Sequence, residues 1–258
     1  MPVDSPDLSR DLRVLATFHK PYTYNADSLW LRPCTVGAFR MDAPGVHCDA
    51  TGDSISALNR SFCELTALYW AWKNLPDVAH LGLCHYRRYF YLGAEPLPGV
   101  RVPVADRNAA IVAMSGPQAG ERALDILRWA DAIVPMPYHL GLPIARQYTR
   151  EHDAAPWDAF VEILLEQQPR YRSRIGFLEQ SNRYTFCNMI IARRELVDAY
   201  CSELFPVMFE LQRRVPTPAD PYQARFIGFI AERFLMFWLF ANGIRTFDTP
   251  LVGLEPGA

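Results

Sequence analysis

A single α/β domain built on about five or six strands is the fold class that the sequence predicts, and three observations carry it. Short apolar runs of strand length alternate with helical stretches along the chain. Those runs end in polar or proline-containing breaks, such as HKP at 19–21 and PMP at 135–137. No internal repeat and no low-complexity linker divides the 258 residues. Half of the chain is hydrophobic (50%), which is enough to bury a sizeable core, and we take 1–258 as one domain.

The elements follow in order. RVLATF (13–18) is a first strand, closed by His19, Lys20 and Pro21; ligands of α/β sheets bind at this carboxyl end. From Ile55 to Lys73, apolar residues at Ile55, Leu58, Phe62, Leu65, Tyr69 and Trp72 form a helical stripe, capped by Asp53 or Ser54. Residues 80–86 are the next strand. The stretch 93–120, rich in Pro and Gly, is expected as a long excursion or lid. A short helix at 122–129 leads into the strand DAIVPMP, and 157–167 is helical. TFCNMIIAR (185–193) is a strand with Asn188 near its middle, and 194–213 is a helix with a kink expected at Pro206. The turn VPTPADPY precedes a last helix, 222–241, whose apolar run 226–241 is too short for a clean membrane span and carries Glu232 and Arg233.

Composition narrows the function. A formal net charge of −2 lacks the basic field of a nucleic-acid binder. The first twenty residues have no apolar segment behind a basic start, so a cytoplasmic protein is expected. Six cysteines (34, 48, 63, 84, 187, 201) have neither disulfide-like nor zinc-like spacing and are expected as free thiols. The chain contains no Asp-x-Asp; its nearest acidic pair, Glu151 and Asp153, looks like a helix start.

Candidate site residues cluster in three places. GLCHYRRYFYL (82–92) runs from an apolar strand into His85, Tyr86, Arg87 and Arg88. Strand alternation would put His85 and Arg87 on one face, where a guanidinium fork suits phosphate oxygens; a surface ion-pair cluster is the competing explanation. Asn59, Thr66 and Lys73 share one flank of the helix from Ile55, with Glu64 on the other side, and such a flank either lines a cleft or bounds a wet face. In the last helix, Arg225, Gly228 and Glu232 fall opposite the stripe Ile227, Ile230, Ala231, Phe234, Trp238 and Ala241. A glycine one turn before the carboxylate would leave Glu232 uncovered, and an ordinary solvated face explains the pattern equally well. His19, His85 and His152 are each open to a role as base or ligand, or to plain hydrogen-bonded structure.

Taken together, FHKPY, GDSISALNRSFCELTALYWAWKN, HLGLCHYRRYF, YTFCNMIIARRE and RFIGFIAERF resemble, in this order, a bacterial family of capsular and exopolysaccharide glycosyltransferases long described only as a domain of unknown function. The resemblance implies a Rossmann-like A-type glycosyltransferase fold with a mixed central sheet, binding a nucleotide-sugar, most simply UDP-linked. It further implies a glycan or lipid-linked acceptor, which allows peripheral association with the inner face of the membrane. In metal-using relatives the strand at LGLCHYR ends in Asp-x-Asp; here His85 and Arg87 take those positions, so a divalent metal is not expected. By the same resemblance His19, Lys20, Asn59, His85, Arg87, Arg88 and Asn188 face the donor, His152, Arg225 and Gly228 the acceptor or sugar, and Glu232 is the catalytic acid or base. A non-catalytic nucleotide- or glycan-binding module of the same fold is the alternative.

Overall fold

The computed structural model describes residues 7–254 apart from 96, 98 and 105, so the ends of the expected 1–258 domain lie outside the described residues. The strands are β1 (Leu12–Phe18), β2 (Leu31–Thr35), β3 (His47–Cys48), β4 (His80–His85), β5 (Arg88–Phe90), β6 (Arg101–Pro103), β7 (Ala132–Pro135), β8 (Tyr138–His139), β9 (Arg183–Tyr184), β10 (Ile190–Arg193), β11 (Thr246–Thr249) and β12 (Leu251–Gly253). The main sheet has the order β11-β7-β10-β4-β1-β2-β3. It is mixed: β1 runs parallel to β2 and β4, whereas β10 is antiparallel to both β4 and β7. Beyond the end of β4 the chain turns back into β5, which pairs with β12, and β12 pairs with β6. This small extension forms a wall beside the carboxyl ends of β1 and β4.

Why these strands sit centrally is visible in their sequence. LRVLATF and HLGLCH are apolar on both faces, as strands covered on both sides must be. Alternation divides them: Leu15, Leu81, Leu83, Ile190 and Ala192 point into one core cluster, and Val14, Ala16, Phe18, Cys84 and Ile191 into the other. Gly82 marks the closest approach of β4 to β10. A methyl group there would meet Ile190 O at 2.7 Å and Ile191 Cγ1 at 2.9 Å, so only glycine fits.

The helices are α1 (Leu8–Asp11), α2 (Asn59–Phe62), α3 (Leu65–Asn74), α4 (Arg107–Ser115), α5 (Pro117–Ile126), α6 (Ile144–Glu151), α7 (Ala154–Gln167), α8 (Gly176–Gln180), α9 (Arg194–Arg214) and α10 (Phe226–Ala241). One sheet face is buried by α3, α7, α9 and α10, and the other by α4, α5 and the β5–β12 extension. Helix α9 continues through Pro206.

Four expectations change. The helix expected from Ile55 to Lys73 is broken at Cys63, whose φ of 52° ends α2 before α3 begins. Of the strand expected at 185–193 only β10 forms; before it lies a turn that holds Cys187 and Asn188 at positive φ. Within 93–120, the chain forms β6, α4 and the start of α5; Ile111 and Met114 lie in the core, and Trp30 Nε1 donates to Gly116 O at 2.9 Å. Last, α10 is buried on most sides, Gly228 and Arg233 included, and its less buried residues are Phe229, Glu232 and Phe240, so no broad solvated face runs along it.

Candidate functional site

The end of β4 organises the site. Strand alternation stops at His85, because residues 86 and 87 form the turn into β5 and His85 pairs with Arg88. The grouping expected from alternation is therefore replaced: His85 and Arg88 both reach the Cys187 turn. His85 Nε2 donates to Cys187 O at 2.8 Å, since a carbonyl can only accept, and Arg88 Nη1 donates to Cys187 Sγ at 2.8 Å. Arg87 lies over the Tyr86 ring, 5.0 Å from its centroid, and the His19 ring meets the same tyrosine edge-on at 5.1 Å.

Burial pushes the His85 pKa down to about 4, reinforced by Arg88. The imidazole is neutral at neutral pH, so its 3.8 Å approach to Glu64 is no ion pair. The fixed positive charge at the end of β4 thus resides on Arg87 and Arg88, a correction to the pairing of His85 with Arg87. His19 is also shifted down, by burial and then by Lys20 and Arg87.

Two carboxylates lie behind these cations. Glu64 is buried by the break at Cys63, which turns it away from the flank it would occupy in an unbroken helix. It accepts from Asn188 Nδ2 at 2.8 Å, and the same amide donates to Gly228 O at 3.1 Å. Glu232, its side chain 14% exposed, accepts from the Cys187 backbone N–H at 2.6 Å and from the Tyr184 hydroxyl. Tyr184 in turn accepts from Arg233 Nη1 at 3.1 Å, and Arg233 Nη2 donates to Gln147 Oε1 at 2.6 Å. Both carboxyl groups are shifted up, Glu64 by burial and Glu232 by burial and then by the charge of Glu64. Among the described residues, the non-glycine residues with positive φ are Cys63, Cys187 and Asn188, and all three flank this pair. Backbone strain of this kind persists where surrounding structure enforces it, and it concentrates at functional sites.

Raised carboxyl pKa values have a consequence for stability. A group whose folded pKa lies above its unfolded value adds stability that is fully present below the unfolded pKa and is lost as pH rises through the folded one. Glu64→Gln removes that loss. The variant is expected to melt on the order of 2–4 °C above the parent at pH 8, the scale of about 1 kcal/mol for a chain of this length, with the gap closing towards pH 5. A lower melting temperature at pH 8 would show that Arg88 and Arg225 hold Glu64 ionised at a net gain.

Two adjacent clefts meet here. The first, of about 500 Å³, is lined by His19, Asn59, Arg60, Cys63, Glu64, His85, Arg87 and Arg88, among others. The second, of about 410 Å³, is lined by Arg101, Tyr138, Gln147, His152, Tyr184, Cys187, Tyr222 and Phe229, among others. Arg88, Arg225 and Glu232 belong to both walls. Of the residues picked from sequence, His19, Asn59, His85 and Arg87 gather at the first cleft, His152 at the second, and Arg88, Arg225 and Glu232 at both. Asn59 Nδ2 is engaged within the α2–α3 break, donating to Cys63 O at 2.7 Å and Thr66 Oγ1 at 3.0 Å.

Three residues lie elsewhere. Lys20 is exposed and outside the lining of either cleft. Asn188 is buried and faces Glu64, because the left-handed turn before β10 directs it inward. Gly228 is buried against Cys63, where a methyl group would approach Sγ to 3.1 Å. It lets α10 pack closely on the α2–α3 break and does not uncover Glu232.

Sequence reasoning passed over Tyr184 and Cys187 and set Glu64 on the far side of an unbroken helix. Each stands inside a quoted motif, ELTALYW or YTFCNM, but helical and strand periodicity concealed the two backbone breaks that bring them together. Arg87 and Arg88 surround the end of β4, and among the described residues no group of three or more His, Cys, Asp or Glu side chains could hold a metal ion.

A mixed sheet with its clefts at the carboxyl ends of parallel strands is an α/β fold, and a solved structure shares it. An apo structure of WbbM, a bifunctional glycosyltransferase, superposes with a TM-score of 0.83 at 22% identity over 95% of this chain. That match spans 46% of the WbbM chain, so the present chain corresponds to less than half of it. Residues 13–243 match the family described as a domain of unknown function, DUF4422, and the chain belongs to that family. No curated protein matches the sequence. Among the described residues, no helix is long and apolar enough to cross a membrane.

Proposed function

We propose that the chain transfers a sugar from a nucleotide-diphosphate donor, UDP-linked in the simplest case, to a surface glycan or its lipid-linked precursor. The observation that carries this reading is the position of Glu232 in the wall common to both clefts, with Arg88 and Arg225 beside it. The first cleft suits a diphosphate: Arg60, Arg87, Arg88 and Arg225 contribute cationic forks, and His19 and His85, whose pKa values burial lowers, line it beside them. The second cleft is left for the acceptor.

In this mechanism the bond from the anomeric carbon to the diphosphate oxygen breaks as the acceptor hydroxyl oxygen bonds to that carbon. Arg87, Arg88 and Arg225 stabilise the charge that develops on the departing diphosphate. Glu232 takes the acceptor proton. Its bonds from Tyr184 and the Cys187 N–H fix its orientation, and each carboxylate oxygen retains capacity for a further donor. A raised pKa favours the acceptance of a proton, and it makes transfer fall with acidity at a higher pH than an ordinary carboxylate would.

One observation favours a non-catalytic binding module of the same fold: both oxygens of Glu232 are already engaged, as in a structural carboxylate. Turnover separates the two. A nucleotide-sugar panel scored by thermal shift is the first test, since a ligand at a hundred times its Kd adds about 2.7 kcal/mol of stability. UDP affinity is expected to change by less than about twofold when a strong chelator is added, because guanidiniums take the place of a metal clamp. Loss of affinity on chelation would assign the diphosphate to a metal instead, and a flat panel would remove the donor proposal.

A further inference from the structure

The second cleft carries a feature that general base chemistry does not need. Tyr222 stands 53% exposed at its mouth, although a large ring in water contributes nothing to folding. It belongs to a cluster with His152 and Phe229: the His152 and Phe229 rings stack at 4.4 Å and 23°, and those of His152 and Tyr222 at 5.7 Å and 27°. The cluster is held rigidly. His152 Nδ1 donates to Gln223 Oε1 at 3.1 Å, Gln223 Nε2 donates to Glu151 O at 3.2 Å, and Asp220 Oδ1 accepts from the backbone N–H groups of Tyr222 (3.0 Å) and Gln223 (2.8 Å). Gln223 thereby ties the end of α6 to the turn that presents Tyr222. Burial lowers the His152 pKa, so the ring presents an uncharged face.

A fixed, partly exposed aromatic surface beside a carboxylate suits a ligand with an apolar face and a polar rim. Pyranose rings have that form: their axial C–H groups make one face that packs on the electron-rich side of an aromatic ring, and their hydroxyls project from the edge. Glu151, at the edge of the cleft, can take such hydroxyls. A nucleobase also stacks on aromatics, and Arg88, Arg101, Arg225 and Arg233 line this cleft too, so the test below separates a sugar from a nucleobase.

We infer that the Tyr222, His152 and Phe229 cluster is a platform for the terminal neutral sugar ring of the acceptor, with Tyr222 as its specificity-determining residue. The assignment of the second cleft to an acceptor rests on the glycosyl-transfer reading above. The platform itself is tested independently of it.

The probes are a set of neutral methyl hexopyranosides, observed by saturation-transfer NMR with the parent, Tyr222→Ala and Tyr222→Phe. Because Tyr222 is exposed, its truncation leaves the core intact. At least one hexoside is expected to receive saturation chiefly on one C–H face of its ring. Its affinity should fall about three- to tenfold in Tyr222→Ala and recover in Tyr222→Phe, as stacking requires a ring and not a hydroxyl. The inference is overturned if no hexoside binds the parent, if Tyr222→Ala binds as the parent does, or if the alanine variant loses affinity for UDP instead, which would make the platform a nucleobase site. UDP binding to the parent is measured separately. UDP binding without hexoside binding defeats the platform and leaves the donor reading standing, and hexoside binding without UDP binding does the reverse.

Discussion

Glu232→Gln is expected to lower sugar transfer by at least about a hundredfold, the usual scale for a positioned acid or base, while the fold and the nucleotide affinity are retained. The fold should survive because glutamine keeps the shape of the side chain and a bond to each partner, the one to Tyr184 with its direction reversed. Its amide oxygen can accept from the Cys187 N–H, and its NH2 can donate to the Tyr184 oxygen. Replacing a buried carboxylate whose pKa is raised also removes a desolvation cost, so the variant should be at least as stable as the parent at neutral pH. What glutamine cannot do is accept a proton. If the variant transfers sugar near the parent rate, Glu232 is a structural carboxylate, and the buried pair leaves Glu64 as the group to test next.

Arg87→Ala carries the second large effect, and it falls on binding. Arg87 lies at the turn after β4, over the Tyr86 ring, and lines the first cleft. A hydrogen bond to a charged group contributes about 1.5–3 kcal/mol, so the loss of this guanidinium should weaken UDP by roughly ten- to 150-fold. Tyr86 packs in the core independently of it, and the melting temperature of the free protein should therefore change little. Titration calorimetry with UDP decides the point. An affinity within about twofold of the parent would mean that the diphosphate bypasses the end of β4.

The periodic parts of this molecule were legible from sequence, and the site was legible only where it coincides with them. Continuous apolar runs identified β1, β4 and the strand at Ala132–Pro135, and the polar breaks after β1 and β4 marked the edge where the first cleft lies. His19, His85, Arg87 and Arg88 were found for that reason: they sit at or just past a strand end. Glu64 and Asn188 were misplaced because each adjoins a left-handed residue, Cys63 or Cys187, for which no glycine or turn motif gives notice. Helical geometry placed Glu232 opposite the core stripe, yet the tight packing that Gly228 permits and the Cys187 turn enclose that side as well. The tertiary partners of a helix face, unlike its period, are not written in its own residues.

Release of free nucleotide tests the central claim most directly. The parent and Glu232→Gln are incubated with a panel of UDP-sugars, and UDP is quantified over time with and without added hexosides. The account expects UDP release from at least one donor by the parent, faster with an accepted hexoside, and at least about a hundredfold slower release by the variant despite equal UDP affinity. Tight UDP binding with no release from any donor, or equal release by the two proteins, would contradict it.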